Sequence, residues 1–222
     1  MKTIHLISQL SINENGLQTK TKNGRYQSFF FQQGDLDGAC VIYSALMSLI
    51  IVQAVSYKDV AIGGKSGDGR TRIERLKKEL FEAKGMHRDG NYLFHHHMDS
   101  LEEMVRRSYS KKVSSKSGVI NSREDLLEIN KQLEINLPVI VSLDFSRNWA
   151  HAVLVIGMQL DGKGNLEKFF ILDPSCSAPR NTYWNGVLEL NVGTETYPDI
   201  YYPSHGEYEK CNLEDWLVFI RN

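Results

Sequence analysis

The sequence predicts an α+β fold: a helical half at about residues 38–135 packed against an antiparallel β-sheet at about residues 136–222. Three observations carry this. An apolar run from Val41 to Val55 is long enough for a buried helix, and later stretches before residue 135 place apolar residues at helical spacing. After Leu137 the pattern changes to short runs of β-branched and aromatic residues. Between two such runs lies Asp161-Gly162-Lys163-Gly164-Asn165, a turn signal that joins adjacent strands as a hairpin. There is no internal repeat and no linker that forces a division. The 222 residues therefore read as one domain, large enough to bury a proper core.

The elements follow in order. Met1 to Leu10 holds one Lys, and its apolar run is broken by His5, Ser8 and Gln9, too weak a pattern for a signal peptide. Gly24 to Phe31 reads as a strand or extended arm. Asp37 is a good N-cap for the helix of Val41 to Val55. That helix is apolar nearly all round and so central, but it is interrupted by Ser44, Ser48 and Gln53 and falls short of a membrane span. Ala61 to Gly69 is a glycine-rich loop. Arg70 to Lys84 is amphipathic, with Ile73, Leu76, Leu80 and Phe81 on one face. A third helix covers Ser100 to Ser108, and Tyr109 to Gly118 is a Ser/Lys-rich exposed loop. A fourth helix covers Arg123 to Leu133, capped by Ser122 with Glu124 and Asp125 near its start. The expected strands are Leu137–Leu143, Ala150–Gln159, Leu166–Leu172, Gly186–Leu190, Asp199–Tyr202 and Trp216–Ile220.

Composition narrows the function classes. A formal net charge of −1, with Lys and Arg spread along the chain, gives no electrostatic footprint for nucleic acid. The three cysteines, Cys40, Cys176 and Cys211, are odd in number and accompanied by no signal peptide. That argues for reduced thiols in the cytoplasm. A Cys176–Cys211 bridge would require export by an unusual route.

The chemistry is concentrated in Gln32-Gln33-Gly34-Asp35-Leu36-Asp37-Gly38-Ala39-Cys40. One Cys sits in the first turn of a long apolar helix, with a Gln just upstream. Helix N-termini carry partial positive charge and free N–H groups, and both favour thiolate over thiol. An upstream Gln amide can donate to a developing oxyanion. Downstream, His151 opens one strand and Asp173 closes the next. A hairpin centred near Gly162 or Lys163 brings these two opposite each other within a residue or two, close enough to hydrogen-bond. Asp173 would then fix the imidazole tautomer, leaving the other ring nitrogen for Cys40.

Gln, then Cys on a helix, then a strand beginning with His, then Asp-Pro ending the following strand, resembles the papain-like cysteine peptidase superfamily. The phrases QGDLDGAC, PVIVSL, HAVLVIG and FFILDPS look closest to its bacterial branch that includes the bacteriocin leader-processing peptidases. The resemblance covers roughly residues 32–56 and 137–175. It implies Cys40 as nucleophile, His151 as general base and acid, Asp173 as its orienter and Gln33 as oxyanion donor beside the Cys40 N–H. The chain departs from the pattern in two places. Gln33 lies seven residues before Cys40, one more than is common, so the loop must bulge or Gln32 takes the role. Ala39 and Val41 flank the Cys in place of the Gly or aromatic neighbours of papain proper.

Each of these residues has a plainer reading. A lone Cys is most often a buried apolar residue, an apolar-strand His a satisfied core residue, and Asp before Pro a turn initiator. Their joint arrangement is what favours chemistry. Other features of the chain have structural explanations. Asp35 and Asp37 are too few for a calcium loop. Gly63-Gly64-Lys65-Ser66 lacks the glycine that a phosphate-binding loop needs at position 59, which is Asp59. His95-His96-His97, with His87 and Asp89, could suggest metal, but adjacent histidines on a helix diverge. Cys176 reads as a loop thiol near the cleft, and His205 and Asn148 are reserves for His151 and Asp173.

The expected reaction is acyl transfer from a peptide, isopeptide or other amide bond to Cys40 and then to water. It needs no metal or organic cofactor. The substrate is a protein or peptide, and a protein inhibitor or immunity partner fits this class. The same triad serves deamidases, amidases and acyltransferases, some of them bacterial toxins or effectors. A non-catalytic binding module would keep the fold without the activity.

Overall fold

The computed structural model describes residues 1–33, 39–61, 70–82, 87–88, 91–92, 98–145, 149–193 and 195–222 of the chain, with backbone alone at 81–82, 87–88, 91–92 and 149. It is a mixed structure of helices and antiparallel sheet. Four short strands come first: β1 (Thr3–Leu6), β2 (Leu10–Asn13), β3 (Gly16–Lys20) and β4 (Tyr26–Gln27). Helices α1 (Cys40–Ile51), α2 (Tyr57–Ala61) and α3 (Arg72–Glu82) follow, then a small ribbon of β5 (His87–Arg88) and β6 (Asn91–Tyr92). Next are α4 (Met98–Tyr109), β7 (Val113–Val119) and α5 (Leu126–Glu134). The rest is strand: β8 (Val139–Phe145), β9 (Trp149–Leu160), β10 (Leu166–Leu172), β11 (Gly186–Glu189), β12 (Asp199–Pro203) and β13 (Glu209–Arg221).

The sheet is antiparallel throughout, and it is closed rather than open. Strands β8 to β13 pair antiparallel in sequence order, and β13 also pairs with β8, so these six close on themselves as a barrel. Closure is possible because β13 is long and changes partners along its length. Its start pairs with β12, its middle with β8 and its end with β7. Closure removes the exposed edges that an open sheet leaves unpaired. Strand β1 extends the sheet from the far end of β9. Gly157 permits that close approach, since a Cβ there would lie 2.4 Å from Leu6 Cδ2 and 2.5 Å from the His5 carbonyl oxygen.

Three local expectations are corrected. Residues 109–118 are not simply an exposed loop: Val113–Val119 pairs with β13, and Trp216 lies against Gly118 where a side chain would collide. The polar residues mark an edge strand whose outer face is wet, a pattern that composition reads as loop. The N-cap of α1 is Ala39, which makes no side-chain cap bond; Asp37 lies outside the described residues. The segment after Ser122 opens as a 3₁₀ turn, Arg123–Asp125, before α5 begins, with the Asp125 carboxylate accepting the Asn121 and Ser122 N–H groups. The helical and sheet halves are thus interleaved, because β1 and β7 both belong to the sheet.

Helix α1 is buried almost throughout and packs on β9, β8 and β13. Its low polarity follows from that position: sheet lies on one side, and the ribbon of β2 and β3 approaches it as well. Helices α3 and α4 pack together, with Leu76, Leu80, Leu101 and Val105 enclosed. Among the described residues no helix is long and apolar enough to cross a membrane.

Candidate active site

Cys40 is the first residue of α1, so its sulfur sits where the helix N–H groups have no internal partners. The helix is locked to β9 at this end. The Ala152 N–H points at Cys40 Sγ at 3.4 Å, and Ser44, one turn further along, donates its hydroxyl to the Ala152 carbonyl at 3.3 Å. Positions i and i+4 of α1 thereby grip both sides of one residue, the neighbour of His151. Depth and rotation of the helix are set at the point where the thiol meets the imidazole.

His151 lies near the start of β9, paired across β8 with Leu143. Its Nε2 is 2.7 Å from Asp173 Oδ1. The other ring nitrogen is left for Cys40, with which the ring also interacts. The β9–β10 ladder ends at Leu172 opposite Leu154, so continuing it would set Asp173 against Val153, two positions from His151. The two side chains share a face because side chains alternate along a strand, and they meet diagonally. Irregularities between Leu166 and Lys168 and between Phe170 and Ile171 set this offset.

Asp173 is fully enclosed and richly partnered. Its Oδ1 also accepts the Ser175 N–H and hydroxyl, each at 2.7 Å. Its Oδ2 accepts the Tyr201 hydroxyl, with the Cys176 thiol 3.7 Å away. Asn185 clamps the main chain here, accepting the Asp173 N–H at 2.7 Å and donating to the Asp173 carbonyl at 2.9 Å and the Ser177 carbonyl at 3.1 Å. The Tyr201 ring reaches the carboxylate past Gly186, where a Cβ would stand 3.3 Å from its Cε2, and rests edge-on against Phe145.

The electrostatics favour an ion pair. Burial pushes the Cys40 thiol up, but the charge and hydrogen bond of His151 and the N–H groups of Ala152 and Val41 outweigh it, so it titrates below its ordinary value. Burial pushes His151 down, yet the Asp173 and Cys40 charges hold it well above the usual imidazole range. Burial would raise Asp173, but His151, Tyr201 and Ser175 hold it at about 2. The arrangement can therefore hold a thiolate beside an imidazolium, the reactive form of a cysteine nucleophile.

Gln33 is attached to the same loop: its N–H donates to the Pro174 carbonyl at 2.8 Å. Its side-chain oxygen is enclosed and has no hydrogen-bond partner among the described residues. Gln32 is exposed and points to a neighbouring cleft. The bulge expected between Gln33 and Cys40 lies outside the described residues, as do Asp35, Asn148, His95 to His97, Asp89 and the Gly63–Ser66 segment. His205 is exposed and belongs to a turn after β12. All three cysteines are free, with Cys211 enclosed in β13 opposite Asp199. Among the described residues no group of His, Cys, Asp or Glu is arranged to hold a metal ion.

The site residues that sequence reasoning did not find are Tyr201, Asn185 and Ser44. Tyr201 and Asn185 are distant in sequence from Asp173, and nothing in their surroundings marks them. Ser44 carried a signal, a polar residue one turn after Cys40 on an otherwise apolar helix.

No protein-family model matches the chain, and no curated protein matches it. Among solved structures, UfSP from C. elegans aligns at 12% identity with a TM-score of 0.46, over 99% of this chain and 34% of that one. The chain thus spans about one third of that protein's length.

Proposed function

We propose that this chain is a cysteine peptidase of the papain-like superfamily, one domain throughout, hydrolysing a peptide, isopeptide or related amide bond through Cys40, His151 and Asp173. The observation that carries the reading is the line from Asp173 Oδ1 to His151 Nε2 at 2.7 Å and on to a thiol at a helix start whose titration is lowered by that same imidazole. The sequence phrases around Cys40, His151 and Asp173 support the superfamily, and the bacterial branch rests on them alone.

In this reading the Cys40 thiolate attacks the carbonyl carbon of the scissile amide. The oxyanion takes hydrogen bonds from the Cys40 N–H and the Gln33 side-chain amide. The His151 imidazolium gives its proton to the departing nitrogen, the C–N bond breaks and a thioester remains. Neutral His151 then takes a proton from water, which attacks the thioester and releases Cys40 as thiolate. Asp173 keeps the imidazole oriented and stabilises its charged form throughout.

The test is alkylation with limiting iodoacetamide at mildly acidic pH, followed by a profile of bonds cut in a proteome digest by wild type and by Cys40→Ala. Fast, selective labelling of Cys40 and cuts lost in Cys40→Ala support a peptidase. Equal, slow labelling of all three thiols would make the chain a binding module. Selective labelling without any cut bond would turn the reading to a deamidase or acyltransferase.

A further inference from the structure

A cleft of about 430 Å³ is lined by residues that neighbour Gln33 and Pro174 along the chain, and nothing in the chemistry above uses it. One wall is the extended arm through Phe30 and Gln32; the other is the segment Ser177 to Arg180. Both walls originate at the catalytic loop. Gln32 directly precedes Gln33, Ser177 is three residues past Pro174, and Gln33 and Pro174 are joined main chain to main chain at 2.8 Å. Three residues span at most roughly 11 Å, so the cleft begins within one short peptide's reach of that bond.

The third wall is the tip of the ribbon formed by β2 and β3. It is held rigidly: the Asn13 side chain accepts the Asn15 N–H at 2.8 Å, Gly16 turns with a φ of 84°, and Leu17 anchors the ribbon in the core. Phe30 and Tyr57 supply apolar surface, and Phe31 fixes Tyr57 by stacking on it at 5.1 Å between ring centroids. The polar lining is neutral, from Asn15, Ser28, Gln32 and Ser177, with one exception. Among the described residues Arg180 is the one charged member of the lining, and its guanidinium has no ion pair and no hydrogen bond there. An unpartnered guanidinium with neutral hydrogen-bonding neighbours, beside aromatic surface, suits a carboxylate on an apolar stem.

We propose that this cleft is a substrate subsite that selects a carboxylate, supplied by an acidic side chain or by a chain terminus, close to the bond being cut. The proposal deepens the peptidase reading and rests on it for its meaning, but it can be tested separately. Arg180 would bind the carboxylate through its guanidinium fork. Phe30 and Tyr57 would take the apolar part of the same or the next residue. Arg180 is a specificity residue in this scheme and takes no part in bond breaking.

The experiment uses the full chain carrying Cys40→Ala, so that peptides remain intact. Three hexapeptides with a neutral fluorophore are titrated by anisotropy: one with an internal glutamate and an amidated end, one with glutamine in its place, and the glutamine peptide with a free terminal carboxylate. A carboxylate peptide should bind about fivefold or more tightly than the uncharged one, which corresponds to a single well-placed ion pair. Preference for the internal glutamate assigns an acidic side chain, and preference for the free end assigns a terminus. Arg180→Glu should abolish the preference and should favour a fourth peptide that carries lysine at the glutamate position. Affinities within twofold across the set, no binding by any peptide, or a preference that survives Arg180→Glu would each overturn the subsite. Iodoacetamide labelling of Cys40 in an otherwise wild-type Arg180→Glu chain should proceed at the wild-type rate, showing that fold and triad are intact. Loss of selective Cys40 labelling in wild type would sink the peptidase reading and leave the binding result to judge the cleft.

Discussion

Tyr201 donates its hydroxyl to Oδ2 of Asp173, the oxygen that His151 does not use. Burial, and after it the Asp173 charge, push the phenol's titration upward, so it remains a donor at any ordinary pH. The carboxylate is held from both sides, and its rotation is fixed by a residue 28 positions away in sequence.

Tyr201→Phe is therefore expected to lower kcat/KM by about tenfold, the scale of one hydrogen bond to a charged group. The ring keeps its packing against Phe145, so the melting temperature should fall only by what one lost hydrogen bond to the carboxylate costs. A purely structural role would lower the melting temperature and leave the rate of the folded fraction untouched. Steady-state kinetics beside thermal melts distinguish the two.

Under the proposed mechanism Asp173→Asn should cost more activity than Tyr201→Phe but less than His151→Ala, because the orienting member of a triad usually matters least of the three. It should also move the pH profile. Asp173 raises the proton affinity of His151, so removing its charge should bring the alkaline limb of kcat/KM to lower pH. The Cys40–His151 pair loses a nearby negative charge as a whole, so the acidic limb should also move down. An unchanged profile would reduce Asp173 to a turn residue.

The oxyanion donor separates two adjacent residues. Under the proposed mechanism Gln33→Ala should lower kcat by about 10²–10³ with little effect on KM, because it would remove a contact made only in the transition state. Gln32→Ala should be mild in kcat, since Gln32 is exposed toward the flanking cleft. A large kcat loss in Gln32→Ala with none in Gln33→Ala would reverse the assignment.

Asp199 offers a stability test away from the triad. Burial raises it to about 6, against the bond its Oδ1 accepts from the Asn191 N–H at 3.0 Å. Its folded titration point lies above its unfolded one near 3.8. The unfolded chain therefore releases this proton first as pH rises. Stability from this group declines between about pH 4 and pH 6 and is level above that. Asp199→Asn should raise stability near pH 7.5 by about 2–3 kcal/mol and change little at pH 4. Urea unfolding at the two pH values measures this, and an equal effect at both would exclude the titration as its cause.

Much of the candidate site was legible because its contacts depend on short-range features. An apolar run fixes a helix, a Cys at its start takes the helix-end field, and a five-residue turn ties the start of β9 to the end of β10. Those local patterns bring Cys40, His151 and Asp173 together, whereas Gln33 as oxyanion donor is a proposal. The strand of Leu166–Leu172 has the expected bounds, and α1 begins within one residue of its apolar run. What was not legible depends on which distant segments meet. Barrel closure follows from β13 pairing with both β12 and β8, its far end also pairs with β7, and no local pattern encodes three partners. The same closure carries Tyr201 to Asp173 and turns the Ser/Lys-rich stretch of β7 into a paired edge. Periodicity reports the face that an element buries. Only the tertiary packing decides against what, and so which side chains complete the site around Cys40.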